Sequence, residues 1–267
     1  MNRTFVPAAV VVLWALVAVF GPLLPLQPNS IDLTLILAAP GKLAWFGTDD
    51  LGRAVFDRLV VGARTSFVVA LSVVLVSLML GTFIGTLSAW FGGLFDHMVV
   101  RVIDVFLAFP GILLAIALAG ILGPGIENVV LALSVVGWVG FARLARAQTL
   151  SVKRREHVLA AVALGAGTPR VVRHHVLPYI SAPLVIEATF GISGTIVAEA
   201  GLSFLGLGVQ PPEASWGSMI RDGTDFLLVA PHMVLVPCVA LLVVVLSVNL
   251  LGDRLRDCLD VRSRFRD

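Results

Sequence analysis

Six stretches of this chain run without Asp, Glu, Lys or Arg for long enough to matter: Thr4 to Ile31, Phe67 to Gly93, Val105 to Gly125, Asn128 to Ala142, Tyr179 to Leu207 and Phe226 to Gly252, the fifth interrupted by Glu187 and Glu199. A bilayer core of about 30 Å needs about 20 apolar residues in helix. The pattern therefore predicts an all-α integral membrane protein with six transmembrane helices. The fourth run is short, but Arg143 and Arg146 can snorkel from its end towards the interface and lengthen the span. The first run far exceeds the roughly 7–15 apolar residues of a secretory signal, so it is read as an anchor.

Two segments outside these runs have a pattern of their own. From Thr48 to Arg64, Asp49 and Arg53 stand at i,i+4 with the acid first, and Leu51, Val55, Leu59 and Val60 share a side. This predicts a short helix lying on the outer interface; a structured loop with solvated charges fits equally well. From Ser151 to Pro178, Lys153-Arg154-Arg155-Glu156 precedes the apolar run Val158 to Leu164, which Gly165 and Gly167 stop. Thr168 as N-cap and Pro169 at the first helical position then predict a second short helix limited by Pro178. Seven apolar residues cannot cross a bilayer, and a helix apolar on every face needs cover, from the chain's own membrane domain, the headgroup layer or a partner.

Composition agrees with the pattern. Of 267 residues, 58% are hydrophobic and 13% charged, and the mean hydropathy is +0.99. Soluble domains hold about 25% charged residues, so a soluble enzyme or binding module is excluded. A net charge of +2 gives no nucleic-acid footprint. With the N-terminus inside, fourteen Lys and Arg fall in inner loops and five (Lys42, Arg53, Arg58, Arg64, Arg221) in outer ones, which predicts that both termini are cytosolic. Cys238 and Cys258 are too few and too differently placed for a disulfide framework.

The chain has no G-x-x-x-x-G-K-[ST], no H-E-x-x-H, no Cys/His cluster and no G-x-S-x-G, so neither ATP hydrolysis by a P-loop nor metal or nucleophile chemistry is expected of it. His174 and His175 are neighbours about 100° apart on a helix, a poor chelate. What stays open is transport, a channel or assembly. Glu187 and Glu199 are intramembrane carboxylates and so candidate gate or partner-permease contacts. The plainer reading of Glu199, near the outer end, is a hydrogen bond to a loop or partner, and Glu187 could pair with Arg173. Gly81 and Gly85 form a G-x-x-x-G suited to close helix packing, Arg101 and Asp104 are spaced for an ion pair, and Pro110 is placed to kink the third span.

The cytosolic segment carries a resemblance. Glu156-His157-Val158-Leu159-Ala160-Ala161-Val162-Ala163-Leu164-Gly165, followed by His175-Val-Leu-Pro178, resembles the EAA loop of ABC importer permeases, with Ala160, Ala161, Gly165, Leu177 and Pro178 in register. Further blocks, Phe46 to Arg53, Gly62 to Ser66, Leu202 to Gly208, Pro211-Pro212, Ser215 to Gly217 and Asn249 to Asp253, look like the C-type permease subunit of dipeptide/oligopeptide importers, a group that includes nickel importers. The chain departs from the pattern at Leu159, where the EAA glutamate usually stands, at His175 and at Ala54. Glu156, about one turn earlier, is a candidate substitute for that glutamate.

The resemblance implies a type I (MetI-like) importer transmembrane domain. Residues 1–65 would be an anchor helix and extracellular segment, 66–252 the permease domain with its coupling loop at 151–178, and 253–267 a cytosolic tail. It implies that residues 156–165 couple to a groove on an ATPase, that ATP and Mg are bound by two cytosolic ATPase partners and no cofactor by this chain, and that a homologous second permease and an extracellular or periplasmic solute-binding protein complete the complex in a bacterial inner membrane. Nickel or another small solute is the same-family alternative; an ATP-independent secondary carrier or an assembly protein would be of a different class.

Overall fold

In hydrocarbon a backbone N–H has only its own chain to bond to, so apolar runs of this length fold as helices. The computed structural model describes residues 2–42 and 44–259, so 260–267 of the expected cytosolic tail lie outside the described residues. Its helices are α1 (Asn2–Phe20), α2 (Val55–Phe91), α3 (Gly93–Leu107), α4 (Gly111–Leu122), α5 (Ile126–Val152), α6 (Glu156–Ala163), α7 (Thr168–Val171), α8 (Leu177–Phe204), α9 (Trp216–Thr224) and α10 (His232–Leu259). Five of them, α1, α2, α5, α10 and α8 with its lead-in from Thr168, are long and apolar enough to cross a membrane.

The third expected span, Val105 to Gly125, is broken. Helices α3 and α4 together make one apolar unit bent by 87°. Pro110 is the cause: it has no N–H to continue the ladder, and it drives the preceding residue out of the helical region. Among the described residues there are thus five helices long and apolar enough to span and one bent pair.

A second correction concerns Thr48 to Arg64. No separate interfacial helix forms there. Thr48 and Ala54 pair as a single antiparallel bridge, closing a turn around Asp49, and from Val55 the chain is already α2, 37 residues long. At about 1.5 Å per residue that helix outreaches a bilayer core, which is why no break falls between the polar and apolar parts of the sequence.

The main seam lies between α2 and α5. A Cβ added at Gly85 would stand 2.2 Å from the Ala142 carbonyl oxygen, and one at Gly81 2.4 Å from that of Trp138, so the G-x-x-x-G pair brings two backbones into contact. Chain directions place the start of α1, the end of α10 and the α6–α7 segment at one end of the bundle, here the loop end. Helix α9 and the turn before α2 lie at the far end, where Trp216 Nε1 donates to the Leu59 carbonyl at 3.1 Å and Gly217 rests on the backbone of Ala200.

Candidate functional site

At the loop end, α6 starts after Arg155 and stops at Gly165. The stop is a Schellman turn: Ala166 N–H donates to Ala161 O at 3.0 Å, and Gly165 N–H to Val162 O at 2.9 Å. Gly165 has φ +85°, a conformation that glycine adopts without strain. The apolar run from Val158 to Leu164 has one buried side and one bare side. Val158 is 1% exposed and packs with Val152, Val171, Val176 and Ile180. Leu159, Val162 and Leu164 face outward, Leu164 with 89% of its surface free. The chain's own domain buries Val158, half-covers Ala161 and leaves the other five residues of the run exposed.

Glu156 opens the first turn of α6, where a carboxylate suits the positive helix end. It and Leu159 are one turn apart and both exposed, so the candidate substitute lies on the same face as the position it would replace. His157 turns inward and stacks on Tyr179, with centroids 4.7 Å apart, and the Arg155 guanidinium lies 5.3 Å from the same ring.

The turn after α6 differs from expectation. Gly167, extended at φ −66° and ψ 152°, is the cap residue, which frees the Thr168 hydroxyl to accept a bond from Trp90 Nε1 at 3.3 Å. Pro178 does not limit the second helix. The chain passes through a five-residue π turn, Val172–Val176, and Pro178 sits in the first turn of α8, where its missing N–H costs nothing.

Three contacts tie this segment to α2 and α3. Lys153 Nζ donates to the Trp90 carbonyl and stands 5.5 Å from the Trp90 ring. Trp90 holds Thr168 as described. Arg146 forms a two-pronged pair with Asp96, both bonds 2.6 Å, and Ser88 donates to the same carboxylate. None of these contacts is expected from the sequence, where Arg146 reads as snorkelling to the interface and Thr168 as an N-cap. Lys153 is one of two lysines in the chain, and that scarcity was the one visible signal; a contact between residues 63 positions apart has no local pattern.

At the far end, Glu199 is 1% exposed and accepts from Ser66 Oγ at 3.0 Å and Ser203 Oγ at 2.7 Å. The hydrogen-bonding reading of Glu199 therefore has its partners, within this chain. At the same end, Asp49 accepts from Arg53 Nε at 2.7 Å and lies 3.5 Å from buried Arg58, which reaches Asp222 at 3.8 Å. Burial, with Asp49 beside it, pushes the Asp50 carboxyl above the usual aspartate range. Gly52 (φ +75°) makes this turn possible, since a Cβ there would stand 1.8 Å from the Asp32 carbonyl oxygen.

Glu187 faces an open cleft among α2, α4, α5 and α8. No salt bridge joins it to Arg173 or to any other cation among the described residues, and none joins Arg101 to Asp104. Among the described residues no three His, Cys, Asp or Glu come together as a metal site.

Residues 77–265 match the model of the family described as binding-protein-dependent transport system inner membrane component. The chain belongs to that family. It is 40% identical over 250 residues, 93% of this chain and 82% of the relative, to the dipeptide transport system permease protein DppC of Alkalihalophilus pseudofirmus. It is 38% identical over 97% of its length, and 88% of the relative's, to the probable D,D-dipeptide transport system permease protein DdpC of Escherichia coli. To the glutathione transport system permease protein GsiD of Pectobacterium atrosepticum it is 39% identical, over 88% of this chain and 78% of that one. An inward-facing structure of the MetNI methionine ABC transporter shares the fold: TM-score 0.55 at 19% identity, over 74% of this chain and 95% of that one. The chain is thus a multi-pass membrane permease with a type I importer transmembrane domain.

Proposed function

We propose that this permease forms half of the transmembrane pathway of an ATP-driven importer of di- and oligopeptides. A homologous second permease supplies the other half, two cytosolic ABC ATPases bind ATP and Mg, and an extracellular or periplasmic binding protein delivers the solute. The observation that carries this reading is α6, a short helix whose outward face is bare Leu159, Val162 and Leu164, while Lys153 before it and Thr168 after it are both tied to Trp90 at the end of α2. An apolar face held rigidly at the end of a bundle suits docking into a groove of another protein, and a tether to the longest helix suits the passage of that groove's motion into the membrane. Residues 156–165 are therefore assigned to ATPase coupling. The excess of Lys and Arg in the loop-end segments supports a cytosolic loop and cytosolic termini in a bacterial inner membrane. The dipeptide and glutathione permeases among its relatives support a peptide solute.

Purification of the tagged chain from native membranes in mild detergent tests this. The expected result is recovery of a second permease and P-loop ATPases, with the ATPases lost in Ala161→Asp and Gly165→Asp, which place a charge on the segment assigned to the ATPase groove. Recovery of the chain alone, or unaltered ATPase content in both variants, would overturn the assignment.

A further inference from the structure

Helices α8 and α10 run antiparallel and are pinned to each other at two levels. Ser193 Oγ donates to Asn249 Oδ1 at 2.8 Å, and a Cβ added at Gly252 would stand 3.1 Å from the Phe190 ring. One turn further towards the loop end the same register brings Glu187 level with Arg256, and both line a cleft of about 510 Å³ among α5, α8 and α10. That level is the polar edge of the span. The apolar run of α10 ends at Gly252, and Asp253, Arg254, Arg256 and Asp257 follow it. Glu187 lies three residues beyond Phe190, about 4.5 Å further at 1.5 Å per residue. Its exposed carboxylate therefore stands at the depth of the headgroups and not of the hydrocarbon.

Two opposite charges share this cleft without meeting. No salt bridge joins Glu187 to Arg256, although both side chains are exposed. The rest of the lining is apolar, Leu144 of α5, Ile186 and Phe190 of α8 and Leu259 of α10 among it. The cleft thus offers one anion, one cation and hydrocarbon walls, with no further polar side chain for a ligand.

That combination selects among ligands. A free peptide carries both charges, but its amide N–H and C=O groups need partners that apolar walls withhold. An anionic lipid satisfies Arg256 and is repelled by Glu187. A choline headgroup has no N–H to give a carboxylate, which can only accept. Phosphoethanolamine has a phosphate for the forked guanidinium, an ammonium two carbons away for the carboxylate, and acyl chains for the walls.

We propose that the cleft among α5, α8 and α10 binds the headgroup of a phosphatidylethanolamine from the leaflet at the loop end, with its phosphate on Arg256 and its ammonium on Glu187. Bound there, the lipid bridges two charges that the chain does not join and fills the seam between the loop ends of α8 and α10. The proposal rests on the bundle's place in a bilayer and not on the ATPase partners, so it is decided on whichever assembly purification recovers.

The test is native mass spectrometry of the full-length chain, in that assembly, delipidated and titrated with phosphatidylethanolamine, phosphatidylcholine or phosphatidylglycerol of identical acyl chains. Wild type is expected to bind the ethanolamine lipid about threefold or more tightly than either other lipid, the scale of one partly exposed charge-assisted contact. Glu187→Gln should bring the ethanolamine and choline lipids to within about 1.5-fold of each other, and Arg256→Gln should weaken all three about twofold or more. Both side chains are exposed, so both variants are expected to fold. No ethanolamine preference in wild type, or a preference that Glu187→Gln leaves intact, overturns the site.

A second measurement fixes the place. The assembly is irradiated in vesicles holding a trace of phosphatidylethanolamine with a diazirine in its acyl chain, and the labelled peptides are sequenced by mass spectrometry. Label is expected in residues 182–190 or 253–259, reduced about threefold or more by excess unlabelled ethanolamine lipid and not by the choline lipid. Label absent from both segments overturns the proposal. Removal of the label by excess dialanine overturns it in favour of a peptide. Capture of a second permease, in place of lipid, by a benzophenone side chain introduced at position 187 overturns it in favour of a subunit contact.

Discussion

The two ends of this bundle treat their difficult residues in opposite ways. The far end buries charge and pairs it within the chain: Arg58 lies between Asp49 and Asp222, and Glu199 takes bonds from Ser66 and Ser203. The loop end exposes apolar surface and leaves it uncovered, with Leu159, Val162 and Leu164 bare on α6. Buried polar groups are tolerable only when fully bonded, and exposed apolar patches on a fixed frame mark an interface. The far end pairs its buried carboxylates within the chain, and the loop end carries an apolar face shaped for a partner. Substitutions at the far end should therefore read out as stability, and those on the outward face of α6 as assembly.

The largest expected effect is at Arg58. Removing one member of a buried ionic group costs about 3–5 kcal/mol, because the remaining charges keep their desolvation penalty without their counter-ion. Arg58→Ala should approach the lower figure, about 3 kcal/mol, since Arg53 still neutralises Asp49 at 2.7 Å. The midpoint of SDS-induced unfolding in mixed micelles measures it, and a loss below about 1 kcal/mol would make the far end no more self-contained than the loop end.

Glu199 comes next. Glu199→Ala strands two buried serine hydroxyls and opens a cavity, for about 2–3 kcal/mol. Glu199→Gln keeps both bonds if the hydroxyls rotate, and should cost under about 1 kcal/mol. Equal losses for the two would show that the charge matters as well as the bonds.

The sequence announces these two carboxylates identically, as Glu in an apolar run. Periodicity identifies that α8 exists and roughly where it ends, but it cannot say that Ser66, 133 positions away, bonds Glu199 while Glu187 forms no salt bridge among the described residues. The same limit explains the other gains and losses. Gly81 and Gly85 could be read as a packing seam because small-x-x-x-small is a property of one helix, and Gly165 as a stop because a C-terminal glycine is local. The Lys153–Trp90–Thr168 tether and the Arg146–Asp96 pair join separate helices and left no local trace. The apolar run of α6 was legible as needing cover, but not that its own core would cover Val158 and leave Leu164 free. Boundaries failed where tertiary packing overrode a local signal: α2 runs on through a segment read as a separate helix because Gly62 lets it pass beneath Trp216, and Pro110 breaks a run that hydropathy alone treats as one span.

A smaller effect, of opposite sign, is expected at Asp50. Its carboxyl lies above the ordinary aspartate range when folded, from burial first and the neighbouring Asp49 second. The folded state then holds its proton to a higher pH than the unfolded state does, so stability is lost as pH rises from the unfolded value through the folded one. Asp50→Asn removes that loss. The variant should be more stable than wild type at neutral pH, with the gain vanishing below the ordinary aspartate range, as unfolding midpoints across pH 3–7 would show. A gain that is independent of pH would mean that Asp50 is held by geometry and not by its proton.

The smallest stability effect belongs to the most exposed apolar side chain at the loop end. Leu164 is 89% free, so Leu164→Ser removes little buried area and should move the unfolding midpoint by no more than about 0.5 kcal/mol. The same substitution subtracts apolar surface from the face assigned to the ATPase groove, where a full leucine contact is worth about 1.5–3 kcal/mol. A tenfold or greater loss of ATPase retention by the solubilised complex is therefore expected beside an unchanged chain stability. Val158→Ser on the opposite face of α6 should invert the pattern, because that side chain is 1% exposed and its partners are in this chain. If Leu164→Ser destabilised the chain as much as Val158→Ser does, α6 would be packed on both faces in the membrane-bound protein, and the difference between the two ends would disappear.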